Sequence, residues 1–320
     1  MEIQNIMNKA RAYTNIALIK YWGKRNQKWN LPTTSSIGLT LDGFYTETEV
    51  KLIPELNKDL FFLEGLKKEN KRVNKIMDYF RKLAGKKIFA IIKSKNFVPI
   101  SNGLASSSSA FAALAKAASK AFKLDLNKQE VSKIARLGSG SASRSIFGGF
   151  SIWHRGKNHR NSFAEEILNP VNFDINIIDI IFNINPKKIS STEGMEKAQT
   201  SKNYPKWVKQ TKKQTVNMIE AIAEGNIKKI GLIAQNNSLA MHRLNKTSIK
   251  PFDYFTKKTY KIIKKVNILQ KKGLPIFATV DAGPNVKIIT NSQTRKIVMQ
   301  EFKNYGQIIT SKPGPGVKDV

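Results

Sequence analysis

Four short segments of this 320-residue chain gather side chains able to grip an anion or move a proton. The first, PISNGLASSSSAF, sets Gly103, Leu104, Ala105, Ser106, Ser107 and Ser108 before an alanine-rich stretch that predicts a helix over Ser107–Phe122. A helix N-terminus carries unpaired N–H groups and partial positive charge, a glycine allows close approach, and hydroxyls add donors. That suits a phosphate; a plain serine-rich cap on an ordinary helix fits the same residues. GxxxxGK[ST] is absent, so this is no Walker A loop. The second segment, NIALIKYWGK, ends with Lys20, Tyr21, Trp22 and Lys24. It reads as a cationic pocket wall, or as a strand end whose lysines snorkel.

The third segment, LGSGSASRSIFGGF, interleaves Ser139, Gly140 and Ser141 ahead of Arg144. An arginine rising from small residues can clamp a carboxylate or phosphate bidentately; a glycine-rich turn is the plainer reading. The fourth, VDAGPN, puts Asp281 directly after the apolar run FATV, as a rigidly held carboxylate or an Asx-turn residue. SSTEGM adds Ser191 and Thr192 at an expected helix start, with a Ser190–Glu193 capping-box spacing. Lys, Arg, Ser, Gly and one Asp, without paired carboxylates, suit phosphoryl transfer to a small acidic alcohol.

Composition narrows the classes further. With no cysteine, disulfides, thiolate catalysis and Cys-ligated zinc are excluded, and the three histidines lack HExxH spacing. No stretch approaches a membrane span and the start has no signal-peptide core, so a cytoplasmic protein is expected. The net charge of +32 could mark a nucleic-acid binder. Its lysines are spread from Lys9 to Lys318, however, and the densest runs, Lys257–Lys265 and Lys271–Lys272, fall at helical spacing. That spread points to compositional bias; a general positive field would still speed capture of small polyanions.

The elements that must position these residues divide in two. Strands are expected at Ala12–Lys20, Ile37–Leu41, Tyr45–Ile53, Ile88–Lys93 and Phe150–His154, and helices at Lys68–Leu83, Ser107–Phe122 and Lys128–Arg136. After the apolar run Ile175–Ile184 come helical periods at Tyr204–Glu224, Ile227–Leu244 and Phe252–Lys272. Strands follow at Ile276–Val280 and Val286–Thr290, then a helix at Ser292–Asn304 and a strand at Gln307–Thr310. Length predicts about two domains, with the boundary at Asn185–Pro186, giving residues 1–185 and 186–320.

NIALIKYWGK, LPTTSSIGLTLD, PISNGLASSSSAF, SGSASRSIFGGF, SSTEGM, NNSLAMH and VDAGPN, in this order from Arg11 to Val317, resemble the diphosphomevalonate decarboxylase family of the GHMP kinase superfamily. KYWGK and DAGPN belong to the decarboxylase branch, whereas GLASS is shared across the superfamily. The resemblance implies an α+β fold of two domains, an amino-terminal GHMP-kinase-like one and a ferredoxin-like carboxy-terminal one, with the site in the cleft between. It implies ATP- and Mg²⁺-dependent conversion of mevalonate diphosphate to isopentenyl diphosphate, ADP, phosphate and CO₂, by a homodimer. By motif, Asp281 would face the tertiary hydroxyl, Lys20 would sit among the central charges, and Arg144 would hold the carboxylate beside Ser139, Gly140 and Ser141. Tyr21, Trp22 and Lys24 would line the diphosphate end, and Ser191 and Thr192 would approach the transferred phosphate. Gly103–Ser108 would form the ATP loop, with Ser107 toward Mg²⁺. Three positions depart from the family pattern: Asn102 for a small residue, Gln235 for an acidic one, and Glu193 for one often basic in bacterial relatives. A phosphomevalonate decarboxylase or a mevalonate kinase-like enzyme on the same fold are the near alternatives, and a nucleic-acid-binding protein the remote one.

Overall fold

The computed structural model describes residues 8–97, 107–183, 185 and 188–320. Two antiparallel-rich sheets carry helices on their faces. The first sheet is built from β1 (Asn8–Ile19), β4 (Ser36–Ile53), β5 (Leu60–Leu63), β6 (Leu66–Lys68), β7 (Phe89–Phe97), β8 (Phe150–Trp153), β9 (Ala164–Leu168) and β14 (Lys318–Asp319). Its main path runs β14-β1-β4-β7-β5-β6, with β8 pairing β4 and β9. A short ribbon, β2 (Lys24–Asn26) with β3 (Leu31–Pro32), follows β1. The helices of this half are α1 (Lys71–Ala84), α2 (Ser107–Ala121) and α3 (Lys128–Gly138), with a 3-10 turn at Gly140–Ile146.

The second sheet has the order β11-β12-β10-β13, from β10 (Asn176–Ile181), β11 (Phe277–Thr279), β12 (Val286–Thr290) and β13 (Gln307–Ser311). Between β10 and β11 lie α4 (Ser191–Gln199), α5 (Tyr204–Ala223), α6 (Ile227–Lys246) and α7 (Lys257–Lys271), and α8 (Ser292–Phe302) joins β12 to β13. Strand, helices, hairpin, helix, strand in this order is the ferredoxin-like arrangement expected for the carboxy-terminal half. The sheet takes β10 from the amino-terminal side of Asn185–Pro186. The chain end returns the other way, so that β14 pairs with β1.

Local sequence explains the helix limits. Asn70 accepts the Arg72 N–H to start α1, which stops at Gly85 in the left-handed region (φ 63°). Asn127 and Glu130 form a reciprocal capping box on α3. Two expectations are corrected. The segments Ile37–Leu41 and Tyr45–Ile53 belong to one 18-residue strand, β4, whose register against β1 shifts between Tyr13 and Asn15. The helix expected from Phe252 starts at Lys257, because Thr256 and Thr259 cap it reciprocally. The residues before it are used otherwise: Tyr254 packs edge-on against Trp22 at 6.0 Å. Tertiary contact there overrides helical period.

That register shift decides which side of β1 faces the site. Before it, Ala10 and Ala12 pack into the core under α1, α2 and α3. Beyond it the parity switches. Ile16 and Leu18 join a second core with Met218 of α5, Ile230 and Ala234 of α6 and Phe277 of β11, while Asn15 and Ala17 line a cleft. A one-residue change of face exchanges all side chains of a strand. The second core is also shared between the two sheets, so the strand that leads into Lys20 is packed against the half that carries Asp281.

Candidate active site

β1 ends where its ladder with β4 ends, and the next residue is Lys20. Its backbone N–H donates to Asn237 Oδ1 of α6 at 2.8 Å. The ammonium donates to the Ala17 carbonyl at 2.8 Å and to Asp281 Oδ1 at 2.7 Å. Lys20 is 3% exposed and Asp281 44% exposed at the side chain, so the cation lies beneath and the carboxylate reaches the cleft. Burial pushes the Lys20 ammonium below its ordinary range and the Asp281 carboxylate pulls it back in part. Asp281 follows β11 in a loop that is tied at its far end: Asn285 Oδ1 accepts the N–H groups of Phe182 and Asn183.

The second wall grows from the C-terminus of α3. Ser139 ends the helix and the 3-10 turn that follows carries Arg144 inward, 2% exposed. Arg144 donates through Nε to Asn15 Oδ1 at 3.1 Å and through a terminal nitrogen to Ser36 Oγ at 2.5 Å. Burial brings its guanidinium down to about 10, still cationic at neutral pH. Two glycines are required by close approach. A Cβ at Gly38 would sit 2.6 Å from Arg144 Nε, and one at Gly140 would sit 2.5 Å from the Tyr21 ring. Ser139 Oγ lies 3.2 Å from Ser141 Oγ and 3.5 Å from Ser107 Oγ, so the serine cluster reaches the first residue of α2.

The third wall is α4. Ser190 caps it by accepting the Glu193 N–H at 3.2 Å, but the Glu193 carboxylate pairs with Lys197 at 2.8 Å instead of turning back, so half of the expected capping box forms. Lys24 Nζ donates to Thr192 Oγ1 at 3.2 Å, and burial with neighbouring Arg72 and Lys75 lowers its ammonium. Tyr21 packs on Trp153 at 4.7 Å, and its buried hydroxyl has no partner among the described residues. Trp22 is 3% exposed and donates its indole N–H to Asn245 Oδ1 at 3.1 Å.

These walls enclose a cleft of about 650 Å³. Lys20, Tyr21, Trp22, Lys24, Ser107, Ser108, Ser139, Gly140, Ser141, Arg144, Ser191, Thr192 and Asp281 all line it. Gly103, Leu104, Ala105 and Ser106 lie outside the described residues. Sequence reasoning passed over Asn15, Asn30, Arg72, Met195 and Met241, which line it too. Arg72 carried no signal of its own: α1 opens on Lys71 and Arg72 with no acid in its first turn, as α2, α5, α6, α7 and α8 also do.

Arg72 and Ser107 also line a neighbouring pocket of about 150 Å³. Its walls are apolar at Phe61, Leu63, Val73, Ile92, Phe111 and Leu114 and polar at Thr48, Asn70, Ser94 and Asn96. That mixture fits a flat heteroaromatic ring with a polar edge. Among the described residues no group of three or more His, Asp or Glu could hold a metal ion.

The family model described as diphosphomevalonate decarboxylase-like N-terminal domain matches residues 12–164, and that described as mevalonate 5-diphosphate decarboxylase C-terminal domain matches residues 177–313. The chain belongs to the diphosphomevalonate decarboxylase family. The diphosphomevalonate decarboxylase of Candida albicans is 32% identical over 318 residues, spanning 93% of this chain and 88% of the relative. A solved structure of the mevalonate diphosphate decarboxylase from Enterococcus faecalis superposes with a TM-score of 0.92 at 38% identity, covering 98% of both chains. Another, described as MDDEF in complex with MVAPP, AMPPCP and magnesium, gives 0.93 at 38% identity and the same coverage. The fold of the diphosphomevalonate decarboxylase family, mixed helix and sheet in two halves, is therefore the fold of this chain. Gln235, one of the departures from the family pattern, is structural here: its Oε1 accepts the Ala278 N–H of β11 at 2.8 Å, and its amide bonds Gln270.

Proposed function

We propose that this chain catalyses the ATP-dependent decarboxylation of mevalonate diphosphate to isopentenyl diphosphate, ADP, phosphate and CO₂. The observation that carries the reading is the Lys20–Asp281 pair at 2.7 Å, lining the same cleft as Arg144 and the serine cluster. Family membership, and the similarity to a structure described with MVAPP, AMPPCP and magnesium, support the same substrates.

The roles follow from charge and reach. Asp281 accepts the tertiary hydroxyl proton as its oxygen forms a bond to the γ-phosphorus of ATP and ADP leaves. An aspartate carboxylate, ordinarily near pKa 3.9, cannot remove that proton in advance, so transfer accompanies bond formation. The C–O bond to phosphate then breaks, and the electron pair of the carboxylate-bearing C–C bond becomes the new double bond as CO₂ departs. Arg144, fixed by Asn15 and Ser36, orients the carboxylate. At ~4 Å in an effective dielectric of ~20 its attraction is about 4 kcal/mol, and it fades as the charge leaves, so orientation rather than tight holding is its useful role. Tyr21, Trp22, Lys24 and Arg72 serve the diphosphate end, and Ser191 and Thr192 the transferred phosphate.

The N-terminus of α2, with Ser107 and Ser108, serves the ATP phosphates, and the adjoining apolar pocket serves its base. Mg²⁺ fits this donor set as a nucleotide-borne ion: it keeps phosphate and water ligands readily, and the Ser107 hydroxyl is one group that the described residues offer. Bound there it would neutralise charge on the phosphates. We further propose a homodimer in the cytoplasm, on family resemblance; sedimentation of the purified protein tests the first part. Among the described residues no helix is long and apolar enough to cross a membrane.

The deciding experiment incubates the chain with ATP, Mg²⁺ and either mevalonate diphosphate or the monophosphate. ADP and CO₂ formed one to one from the diphosphate is the expected result. ADP without CO₂ would make the protein a kinase, and preference for the monophosphate would make it a phosphomevalonate decarboxylase.

A further inference from the structure

β11 makes its last ladder pair at Thr279 with Lys287, so Val280 and Asp281 lie beyond the sheet's own hydrogen bonds. The support of Val280 comes from α6. Ser238 Oγ accepts the Val280 N–H at 2.9 Å and donates to the Val280 carbonyl at 2.9 Å. One turn on, His242 Nε2 lies 3.2 Å from that same carbonyl. A carbonyl only accepts, so Nε2 carries the proton. The other ring nitrogen, Nδ1, is buried without a partner among the described residues, which suits a neutral ring. The ring is 2% exposed and packed at 4.1 Å against Phe255. The same helix holds the other member of the pair, since Asn237 Oδ1 accepts the Lys20 N–H. Asn237 is itself oriented by donating to Gln214 Oε1 of α5 at 2.8 Å.

We propose that Ser238 and His242 are positioning residues for the reaction: they replace the missing ladder bonds of Val280 and so keep the Asp281 carboxylate at the distance that Lys20 and the substrate hydroxyl require. The proposal rests on the functional reading given above. The NNSLAMH segment thereby acquires a physical role. Its residues Asn237, Ser238 and His242 lie at helical spacing and fix, through backbone groups, the two charged side chains that come from different sheets. A displacement near 1 Å at a reacting group can cost ~10²-fold in rate, so a clamp on one peptide is worth keeping.

The test compares His242→Leu, His242→Gln and Ser238→Ala with the parent chain in ATP-driven CO₂ release from mevalonate diphosphate, alongside thermal melting and hydrogen exchange at the Val280 amide. Leucine fills the ring's place but cannot donate; glutamine can offer an N–H near the Nε2 position. His242→Leu is expected to lower kcat by about 30-fold or more with KM within about 3-fold, and His242→Gln to recover most of it. A folded His242→Leu with normal kcat, or a folded His242→Gln as slow as His242→Leu, overturns the proposal. Should His242→Leu fail to fold, Ser238→Ala decides: a fall of about 10-fold in kcat supports the clamp and normal kcat refutes it. A parent chain that releases no CO₂ would strike the functional reading instead. Exchange at Val280 would then decide the clamp, faster in Ser238→Ala if the proposal holds and unchanged if it fails.

Discussion

Lys20 and Asp281 meet at 2.7 Å although 261 positions separate them, and each comes from the end of a strand in a different sheet. The bond exists only when β1 and β11 are packed on the same core, which Ile16, Leu18 and Phe277 share. Catalytic competence is thereby tied to the packing of one half against the other. Neither half contains the pair.

Asp281→Asn removes the proton acceptor and keeps the shape. Turnover is expected to fall by at least ~10²-fold with substrate affinity within a few-fold. Single-turnover measurement of ADP and CO₂ checks both. Near-normal turnover would remove Asp281 from the proposed mechanism.

Lys20→Met separates charge from volume. An apolar chain of similar size in a buried site relieves the cost of burying an ammonium, and Asp281, 44% exposed, stays hydrated. Melting temperature is therefore expected to hold while kcat drops by ~10²-fold. A melt lowered by many degrees with activity largely kept would make Lys20 a structural residue. The pH profile gives a second readout. With the ammonium held below its ordinary range by burial, activity should fall on the alkaline side earlier than a free lysine at 10.5 would dictate, and that limb should be missing in Lys20→Met.

Much of this site was legible because its residue types are improbable where they stand. A glycine–serine run around one arginine, and an aspartate before Gly-Pro, carry signals that survive without a fold. Asn15 and Arg72 were not legible in the same way. Asn15 faces the cleft only because the β1–β4 register shifts beside it, and no alternation rule locates that shift. Most long helices and strands followed their periods. The exceptions were β4, read as two strands, and the start of α7, where the ring of Tyr254 is needed against Trp22. Short edge strands such as β6 and β14 have too few residues to show any period.

Arg144→Lys keeps the charge and loses the fork. One ammonium cannot reproduce the planar pair of bonds to Asn15 Oδ1 and Ser36 Oγ while also facing a carboxylate. The variant is expected to lose about 10-fold or more in kcat/KM, since orientation of a reacting group commonly contributes that much. Full activity in the lysine variant would show that charge alone suffices.

Acid should destabilise the protein in a window set by two histidines, the buried His242 and the half-buried His159. Burial, with Lys20 nearby, lowers His242 from 6.5 to about 4, and burial beside Arg136 lowers His159 from 6.5 to about 4. Both folded values lie below the unfolded one, so between about pH 4 and 6.5 the unfolded chain binds more protons. Stability is then complete above about 6.5 and is lost as pH falls toward 4. For the fully buried His242 the loss is about 3 kcal/mol at most, one pKa unit being worth ~1.4 kcal/mol. Lowered carboxylates such as Glu47, Asp174 and Asp253 add their losses at lower pH, because their folded values already lie below the ordinary range. Melting curves at intervals from pH 7.5 to 4.5 should therefore show a falling transition temperature, with a shallower fall in His242→Gln. Equal slopes in the variant and the parent chain would mean that folding does not lower the His242 imidazole, and that His242 contributes nothing to the acid sensitivity.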